Sequence, residues 1–235
     1  MVTVSVIMPA YNAGRFLRDA VESVRAQCGV DFELLIGDDA STDDTRTLLD
    51  HYRGDARIRI FCNERRRGAA AMRNALIRAA RGQYVSPCDA DDLMLPGNLG
   101  RQADFLDQHP DIGVVYADVL VVWLDEAGRI AAPPTVVGSD CNRGWDLRDN
   151  LVNHGGSMSR RDLVLQVGGY DESVRSVDDW SLWLKMAEIT RFHYLGGDLL
   201  YVWRRHRSSM TCVDENRVRD TEKIIREAAR RRAGR

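Results

Sequence analysis

Paired cysteines, long apolar runs and an excess of one charge are all missing from this sequence. Its five cysteines are odd in number and include no C-x-x-C pair: Cys28, Cys62, Cys88, Cys141 and Cys212. This usage argues against a disulfide framework and a cysteine zinc site, and it favours a reducing compartment. The formal net charge of −2 gives no electrostatic reason to expect nucleic acid as the main partner.

Signals for membrane insertion and for the common phosphate-binding loops are missing too. The first residues lack the basic start and longer apolar core of a signal peptide, and no apolar run approaches the roughly 20 residues that span a bilayer. No G-x-G-x-x-G follows the first predicted strand, and no G-x-x-x-x-G-K-[ST] occurs anywhere. We therefore expect a cytoplasmic protein in which nucleotide phosphates need a counter-ion other than a glycine-rich loop.

Strand and helix patterns alternate four times in the first 92 residues. Short β-branched or apolar runs predict strands at 3–8, 32–36, 57–62 and 84–87. Helical spacing predicts helices near 16–24, from a cap at Ser41 or Thr42 to Tyr52, and over 69–80 between Gly68 and Gly82. This alternation is typical of a doubly wound α/β fold with a mostly parallel, Rossmann-like sheet.

Polar loops follow three of these strands. They are residues 9–12 after the first strand, Asp38-Asp39 after the second and residues 89–92 after the fourth. Ligands of such sheets bind beyond the carboxyl ends of the strands, so we expect the three loops to converge on one crevice.

The third loop is acidic, with Asp89, Asp91 and Asp92, and Pro96 is predicted to open a helix just after it. Its carboxylates repel one another, and Mg²⁺ or Mn²⁺ would offset that charge because hard cations take carboxylate and phosphate oxygens. A solvated acidic turn is the alternative. With no glycine-rich loop, this predicts a nucleotide whose base and ribose lie over the first two strands and whose diphosphate meets a metal at the fourth.

The rest of the chain has weaker patterns. They predict a strand at 112–122, a hairpin turn at 125–128, a loop at 131–145, a helix at 145–151, two short strands around Gly196-Gly197 and a charged helix at 215–235. The last helix could make a peripheral contact with an anionic membrane, although a solvated helix is the favoured interpretation. We predict one domain over 1–212, with a nucleotide-binding half at 1–92 and an acceptor and catalytic half at 93–212, followed by a separate helix at 213–235.

Several motifs together resemble glycosyltransferase family 2. They are V-S-V-I-M-P-A-Y-N (4–12), I-G-D-D-A-S-T-D-D-T (36–45), G-A-A-A-M-R-N-A-L (68–76), G-Q-Y-V-S-P-C-D-A-D-D (82–92), V-G-G-Y-D-E (167–172), D-D-W-S-L-W (178–183) and R-R-H (204–206). The resemblance covers residues 3–212 and implies the GT-A fold with a smaller C-terminal acceptor-side region. It also implies inverting transfer of a sugar from a UDP-, GDP- or dTDP-sugar to a hydroxyl acceptor that is a saccharide, a lipid-linked molecule or another alcohol.

The resemblance implies that Pro9, Ala10, Tyr11 and Asn12 line the nucleotide. Pro9 and Tyr11 would frame the base, with the Tyr11 ring stacked on its face. The alternative for Tyr11 is ordinary packing at the entry to a helix.

It further implies that Asp39 accepts a hydrogen bond from the base, while Asp38 supports the turn. A carboxylate accepting from an imide N–H favours uracil or thymine, and hence a UDP- or dTDP-sugar. Arg73 would lie near the base or the diphosphate. The alternatives are favourable acidic charge at a helix start for the two aspartates and a solvated helix face for Arg73.

In the D-x-D pattern formed by Asp89, Ala90 and Asp91, the resemblance implies that Asp89 contacts the ribose and Asp91 the metal. Asp92 could share either task. The metal would be Mn²⁺ or Mg²⁺, since both accept these ligands.

The downstream motifs supply the remaining implied roles. His206 would be a metal or diphosphate ligand, and Arg204 a diphosphate clamp because its planar fork donates in pairs. Asp179 would be the general base, with Asp178 in the place where the family has glutamate; a helix cap is the alternative for both. His154 could touch a sugar hydroxyl or have no catalytic use.

Two other functional classes stay open at this point. A nucleotidyltransferase on a similar sheet would be expected to have a glycine-rich, basic first loop, which residues 9–12 lack. A catalytically silent nucleotide-sugar-binding module is the other alternative, and the presence of Asp39, Asp91, Asp179 and His206 together argues against it.

Overall fold

The computed structural model describes residues 2–141, 149–209 and 216–234. Its first half contains the predicted alternation: β1 (Val4–Ala10), α1 (Gly14–Arg25), β2 (Phe32–Asp38), α2 (Thr45–Asp50), β3 (Ile58–Cys62), α3 (Ala69–Ala79) and β4 (Tyr84–Pro87). These strands lie in the order β3-β2-β1-β4 and are all parallel. β1 and β2 are buried almost throughout, as expected of parallel strands that helices cover on both faces.

The second half extends the same sheet with strands of both directions. Its elements are β5 (Leu93–Met94), α4 (Asn98–Gln108), β6 (Ile112–Trp123), β7 (Thr135–Val137), β8 (Ser157–Arg160), α5 (Arg161–Gln166), α6 (Asp178–Met186), β9 (Arg191–Arg205) and α7 (Arg217–Ala233). The order continues from β4 through β8, β6 and β9 to β5, with β7 paired to β6. The α/β class is confirmed, but the second half mixes directions: β8 runs antiparallel to both of its neighbours, whereas β6 and β9 pair in parallel.

Alternate residues of β1 point into two apolar cores, one on each face of the sheet. Val6 joins the core that α1 covers through Leu17, and Ile7 joins the core that α3 covers through Leu76. Successive side chains of a strand point to opposite faces, so a run of apolar residues is what a doubly covered strand requires.

The predicted helix cap at Ser41 or Thr42 is wrong. α2 begins at Thr45 after Asp44, because Ser41 and Thr42 hydrogen-bond to Asn12 in the neighbouring loop. Gly82 does not end α3 either. A Cβ at Gly82 would lie 2.6 Å from the Ser5 nitrogen, so this glycine serves a close backbone approach.

Other boundaries also differ from the predictions. Pro96 precedes α4, which starts at Asn98 after a left-handed Gly97, and β9 is one strand with irregular pairing where two were predicted. The loop predicted at 131–145 contains β7. The hairpin turn at 125–128 is confirmed by the bridge between Leu124 and Ile130. Most of the helix predicted at 145–151 lies outside the described residues, as does Cys212.

The charged C-terminal helix is present as α7, and its apolar side packs against α6. Ile224 and Ala228 are buried against Trp180 and Leu184 of α6. The buried Asp220 accepts the Arg175 N–H at 3.0 Å, just before α6. Among the described residues, no helix has the length and apolarity needed to cross a bilayer. Peripheral membrane contact and the proposed domain division stay predictions.

Candidate active site

The loops after β1 and β2 are tied together by their own side chains. Asn12, at a φ of 49°, accepts the Thr42 N–H at 2.8 Å and donates its own N–H to Ser41 Oγ at 2.9 Å. Pro9 and Ala10 end β1 level with the end of β2. Two of the three predicted loops therefore meet at the carboxyl edge of the sheet.

Both acids of the second loop are buried. Asp38 pairs with Arg46 Nε at 2.6 Å, which places it under the turn. The Asp39 carboxylate accepts the N–H groups of Gly68 at 2.7 Å and Arg67 at 2.9 Å, at the start of α3. A base N–H would therefore compete with backbone donors for Asp39.

Residues 63–68 cover the predicted position of the base. Asn63 Nδ2 donates to Asp39 Oδ1 at 2.8 Å, and the Arg66 guanidinium lies 3.9 Å from the centre of the Tyr11 ring. Tyr11 is 39% exposed, so its ring is available for stacking once Arg66 moves or shares the face.

The carboxylates of the acidic loop after β4 differ in exposure: Asp91 is partly exposed and Asp92 is buried. Asp91 Oδ2 lies 3.1 Å from His206 Nε2, and about a third of its side chain is exposed. Asp92 is buried and accepts the Tyr201 hydroxyl at 3.0 Å and the Arg204 N–H at 2.8 Å. Burial, and then the neighbouring loop acids, raise the pKa of Asp92 well above its usual range. Asp91 and His206 thus lie side by side, while Asp92 faces the protein; their roles at a metal stay predictions.

The guanidinium of Arg204 is engaged by protein groups of the acidic loop and α1. Its Nε donates to the Asp91 carbonyl at 2.5 Å, its Nη1 pairs with Asp19 at 3.2 Å and its Nη2 donates to the Phe16 carbonyl at 3.3 Å. Only 8% of this residue is exposed, and its contacts hold the acidic loop against α1, while the clamp role stays a prediction.

Arg73 joins the acidic loop to α6. It is 4% exposed, and its guanidinium pairs with Asp89 at 2.6 Å and with Asp178 at 2.5 Å, so neither a solvated face nor direct base contact describes it. Burial alone would raise the pKa of Asp89, but Arg73 holds it below its ordinary value. Ala90 is buried beside Asp89, whose side chain remains one-third exposed.

Asp179 follows Asp178 in the first turn of α6 and is partly exposed. Desolvation by the surrounding protein, and then the charge of Asp178, raise the pKa of Asp179 to about 6. Asn150 Nδ2 donates to Asp179 Oδ2 at 2.8 Å. A carboxylate with this pKa is ionised at neutral pH and is still basic enough to accept a proton.

His154 contacts protein groups near the same cluster. Its Nε2 lies 2.8 Å from the Tyr170 hydroxyl, and burial followed by the charge of Arg73 lowers the pKa of His154 to about 3. The lowered pKa favours the neutral imidazole, and a contact of His154 with a sugar hydroxyl stays a prediction.

The residues present fit a metal that is shared with a substrate. Within the described ranges, no three His, Cys, Asp or Glu side chains are arranged to hold a metal ion by themselves. Mg²⁺ commonly takes one or two carboxylates and completes its shell with phosphates and water, and Mn²⁺ accepts the same oxygen ligands. Asp91, with the imidazole of His206 beside it, matches that chemistry.

Asn150, Arg66 and Tyr201 belong to this site but carried no usable signal in the sequence. Asn150 stands in an irregular segment, and Arg66 lies within a run of three arginines that would ordinarily be solvated. Tyr201 is one of several aromatic residues in a strand, and only its pairing beside the acidic loop brings its hydroxyl to Asp92.

Comparison with known sequences gives a consistent result. The family model for glycosyl transferase family 2 matches residues 5–164. The putative glycosyltransferase EpsE of Bacillus subtilis is 33% identical over 189 residues, which are 79% of this chain and 66% of EpsE. The Escherichia coli protein WfgD, a UDP-Glc:alpha-D-GlcNAc-diphosphoundecaprenol beta-1,3-glucosyltransferase, is 31% identical over 134 residues, 57% of this chain and 52% of WfgD. The chain spans between 22% and 66% of the length of the first curated relatives it matches.

Solved structures show the same fold. S. aureus TarS 1–349 in complex with UDP-GlcNAc superposes with a TM-score of 0.75 at 20% identity, covering 97% of this chain and 66% of TarS 1–349. The mannosyltransferase PcManGT of Pyrobaculum calidifontis, in complex with GDP-Man and Mn²⁺, has a TM-score of 0.65 at 22% identity and covers 85% of this chain and 56% of PcManGT. The GT-A fold is thereby confirmed.

Proposed function

The chain belongs to glycosyltransferase family 2, and from this premise we propose that it transfers a sugar from a nucleotide-sugar to a hydroxyl acceptor with inversion at the anomeric carbon. The observation that carries the proposal is the position of Asp179. It is a partly exposed carboxylate with a pKa of about 6, and Asp178 and Arg73 connect it to Asp89 of the nucleotide-side loop.

In this proposal Asp179 is the general base. The acceptor hydroxyl loses its proton to Asp179 as its oxygen attacks the anomeric carbon opposite the leaving diphosphate. Asp178 stays paired with Arg73 and holds the start of α6, so the two adjacent acids have different tasks.

We propose a UDP- or dTDP-sugar as the donor. Tyr11 would stack on the base and Asp39 would accept its imide N–H, after residues 63–68 give up some of their contacts with both side chains. TarS is described with UDP-GlcNAc and PcManGT with GDP-Man, so relatives of this fold bind both kinds of donor.

We propose that Asp91, with His206 beside it, holds a Mn²⁺ or Mg²⁺ ion against the donor diphosphate. The metal would neutralise the charge of the leaving group. Asp89 would bind the ribose with the exposed part of its carboxylate. PcManGT, which is described with Mn²⁺, supports the choice of a divalent cation.

The acceptor is proposed to be a sugar hydroxyl in polysaccharide or glycoconjugate synthesis. The acceptor named for WfgD is carried on diphosphoundecaprenol, which supports including a lipid-linked sugar among the candidates.

The test is a panel of UDP-, dTDP- and GDP-sugars, scored first by thermal stabilisation with and without Mn²⁺ and then by sugar transfer to saccharide and lipid-linked acceptors. We expect a uracil or thymine nucleotide to stabilise the protein only with metal, and transfer to need Asp179. Stabilisation by free nucleoside triphosphates with release of pyrophosphate would instead support a nucleotidyltransferase, and donor binding without any transfer would support a silent binding module.

A further inference from the structure

Asp179 receives a hydrogen bond from a residue that the proposed mechanism leaves without a task. Asn150 Nδ2 donates to Asp179 Oδ2 at 2.8 Å. Within the described residues it is the only side chain that donates a hydrogen bond to Asp179, since Arg73 gives its two contacts to Asp178 and Asp89.

Asn150 belongs to a segment that other contacts hold in place. Asn153 Nδ2 donates to the Val137 carbonyl at 2.9 Å and to the Ala117 carbonyl at 3.3 Å. His154, which follows Asn153 in the chain, contacts the Tyr170 hydroxyl. Asn150 is itself exposed, so its contact with Asp179 is not a by-product of core packing.

The charged groups near Asp179 lie on three elements, and both signs of charge are present. Asp178 precedes it on α6, Arg73 reaches that helix from α3, and Asp89 lies on the far side of Arg73. Among the described residues, Tyr170 also lies near this group: its ring faces Arg73 and its hydroxyl contacts His154. The Asn150 amide is therefore a neutral donor that stabilises the Asp179 carboxylate without neutralising it.

We propose that Asn150 is a positioning residue for the general base: its amide fixes one oxygen of Asp179, so that the carboxylate stays ionised with its other oxygen available to the acceptor hydroxyl. The idea rests on the proposed function, because it assigns a purpose to a contact with the proposed base. Donor-side residues are not involved, so donor binding should be unaffected.

The test compares Asn150→Ala and Asn150→Asp with Asn153→Ala as the matched control in the same segment. The Asp179 carboxyl titration is followed by carbon NMR of aspartate-labelled full chain, with Asp179→Asn identifying the signal. Loss of the donor should raise the pKa of Asp179 by roughly one unit, since hydrogen bonds to a charged carboxylate favour the ionised form. Asn150→Asp should raise it further, because it adds a like charge.

Kinetics give the second readout. With the base pKa one unit higher, turnover of Asn150→Ala at pH 6 should fall by about fivefold beyond any loss at pH 8, because less of the base is ionised at the lower pH. Asn153→Ala can lower stability, but it should leave both the titration and the shape of the pH profile unchanged.

An unmoved Asp179 titration in Asn150→Ala overturns the proposal, as does an equal shift in Asn153→Ala. Undiminished turnover in folded Asp179→Asn would also overturn it, by removing the base that it serves. The two failures are distinguishable, since the titration is read without turnover.

Discussion

Two of the site's pairs of adjacent aspartates, Asp91-Asp92 on the acidic loop and Asp178-Asp179 on α6, have one buried member and one partly exposed member, unlike Asp38-Asp39, which are both buried. Asp92 and Asp178 are buried and bonded to protein, whereas Asp91 and Asp179 keep an exposed part. The pairs differ in what holds the buried member: Tyr201 and the Arg204 backbone for Asp92, and the Arg73 cation for Asp178. An acidic doublet in a sequence can thus combine one reactive group with one that fixes its position.

The sharpest test of this division is on α6. Asp179→Asn keeps shape and removes the proton acceptor, so turnover should fall by roughly 10²–10⁴-fold with donor affinity preserved. Compared with Asp179→Asn, Asp178→Asn should lower turnover much less and lower stability more, because Arg73 loses one of its two partners. Product formation, donor binding and urea unfolding are measured on both variants. Equal losses of turnover and stability in both would show that α6 has no such division.

Removing Arg73, the cation shared by Asp89 and Asp178, should have the next largest effect, and that effect should be a loss of protein stability. Arg73→Met leaves the buried Asp178 without its partner, and breaking a buried ion pair costs about 3–5 kcal/mol of unfolding free energy. Adding Asp178→Asn should recover part of that loss. Urea unfolding of the two single variants and the double variant measures the coupling, and strictly additive losses would mean that the pair makes no specific contribution.

On the acidic loop the contrast should appear in metal dependence. Asp91→Asn should lower metal-dependent donor affinity by at least roughly tenfold, the lower end of the effect of groups that support a metal site. Asp92→Asn should leave the response to metal intact, since both of its oxygens already face the protein. Titrations of donor with Mn²⁺ and with EDTA separate the two. Identical behaviour of the variants would place both acids at the metal or neither.

The smallest expected effect is the pH dependence of the unmodified protein. Because burial and Asp178 raise the pKa of Asp179 to about 6, the base is ionised above that pH and protonated below it. We expect kcat at saturating donor to be level near pH 7–8 and to fall toward tenfold per unit well below pH 6. An acid limb near pH 4 would show that the proposed base titrates as an ordinary aspartate.

The sequence was most informative where local patterns decide the structure. Continuous apolar runs predicted the parallel strands β1 and β2, and the alternation of elements placed three polar loops at one edge of the sheet. The resemblance implied a metal role for Asp91 and a metal or diphosphate role for His206, and the structure puts their side chains 3.1 Å apart although they are 115 residues apart in the chain. Periodicity alone gives no such long-range pair, and the metal roles stay predictions.

The sequence was less informative where a side chain could face either of two directions. Arg204 has the chemistry of a phosphate clamp, but its guanidinium is taken up by the Asp91 carbonyl, Asp19 and Phe16, which α1 and the acidic loop bring to it. Asn150 carries no local signal, because its partner is 29 residues away on α6. Composition and spacing identify groups able to do the chemistry, while tertiary packing decides which of them face the crevice.

The contacts made at the start of α3 and about one turn into it have a kinetic consequence. Asp39 holds the N–H groups that begin this helix, and Arg73, about one turn further along, holds Asp178 beside the proposed base. A nucleobase that takes over Asp39 would release the start of the helix, and a rigid helix would transmit that change to the acceptor side. This coupling would favour ordered addition, in which the donor binds first and the acceptor then meets a general base that donor binding has already positioned.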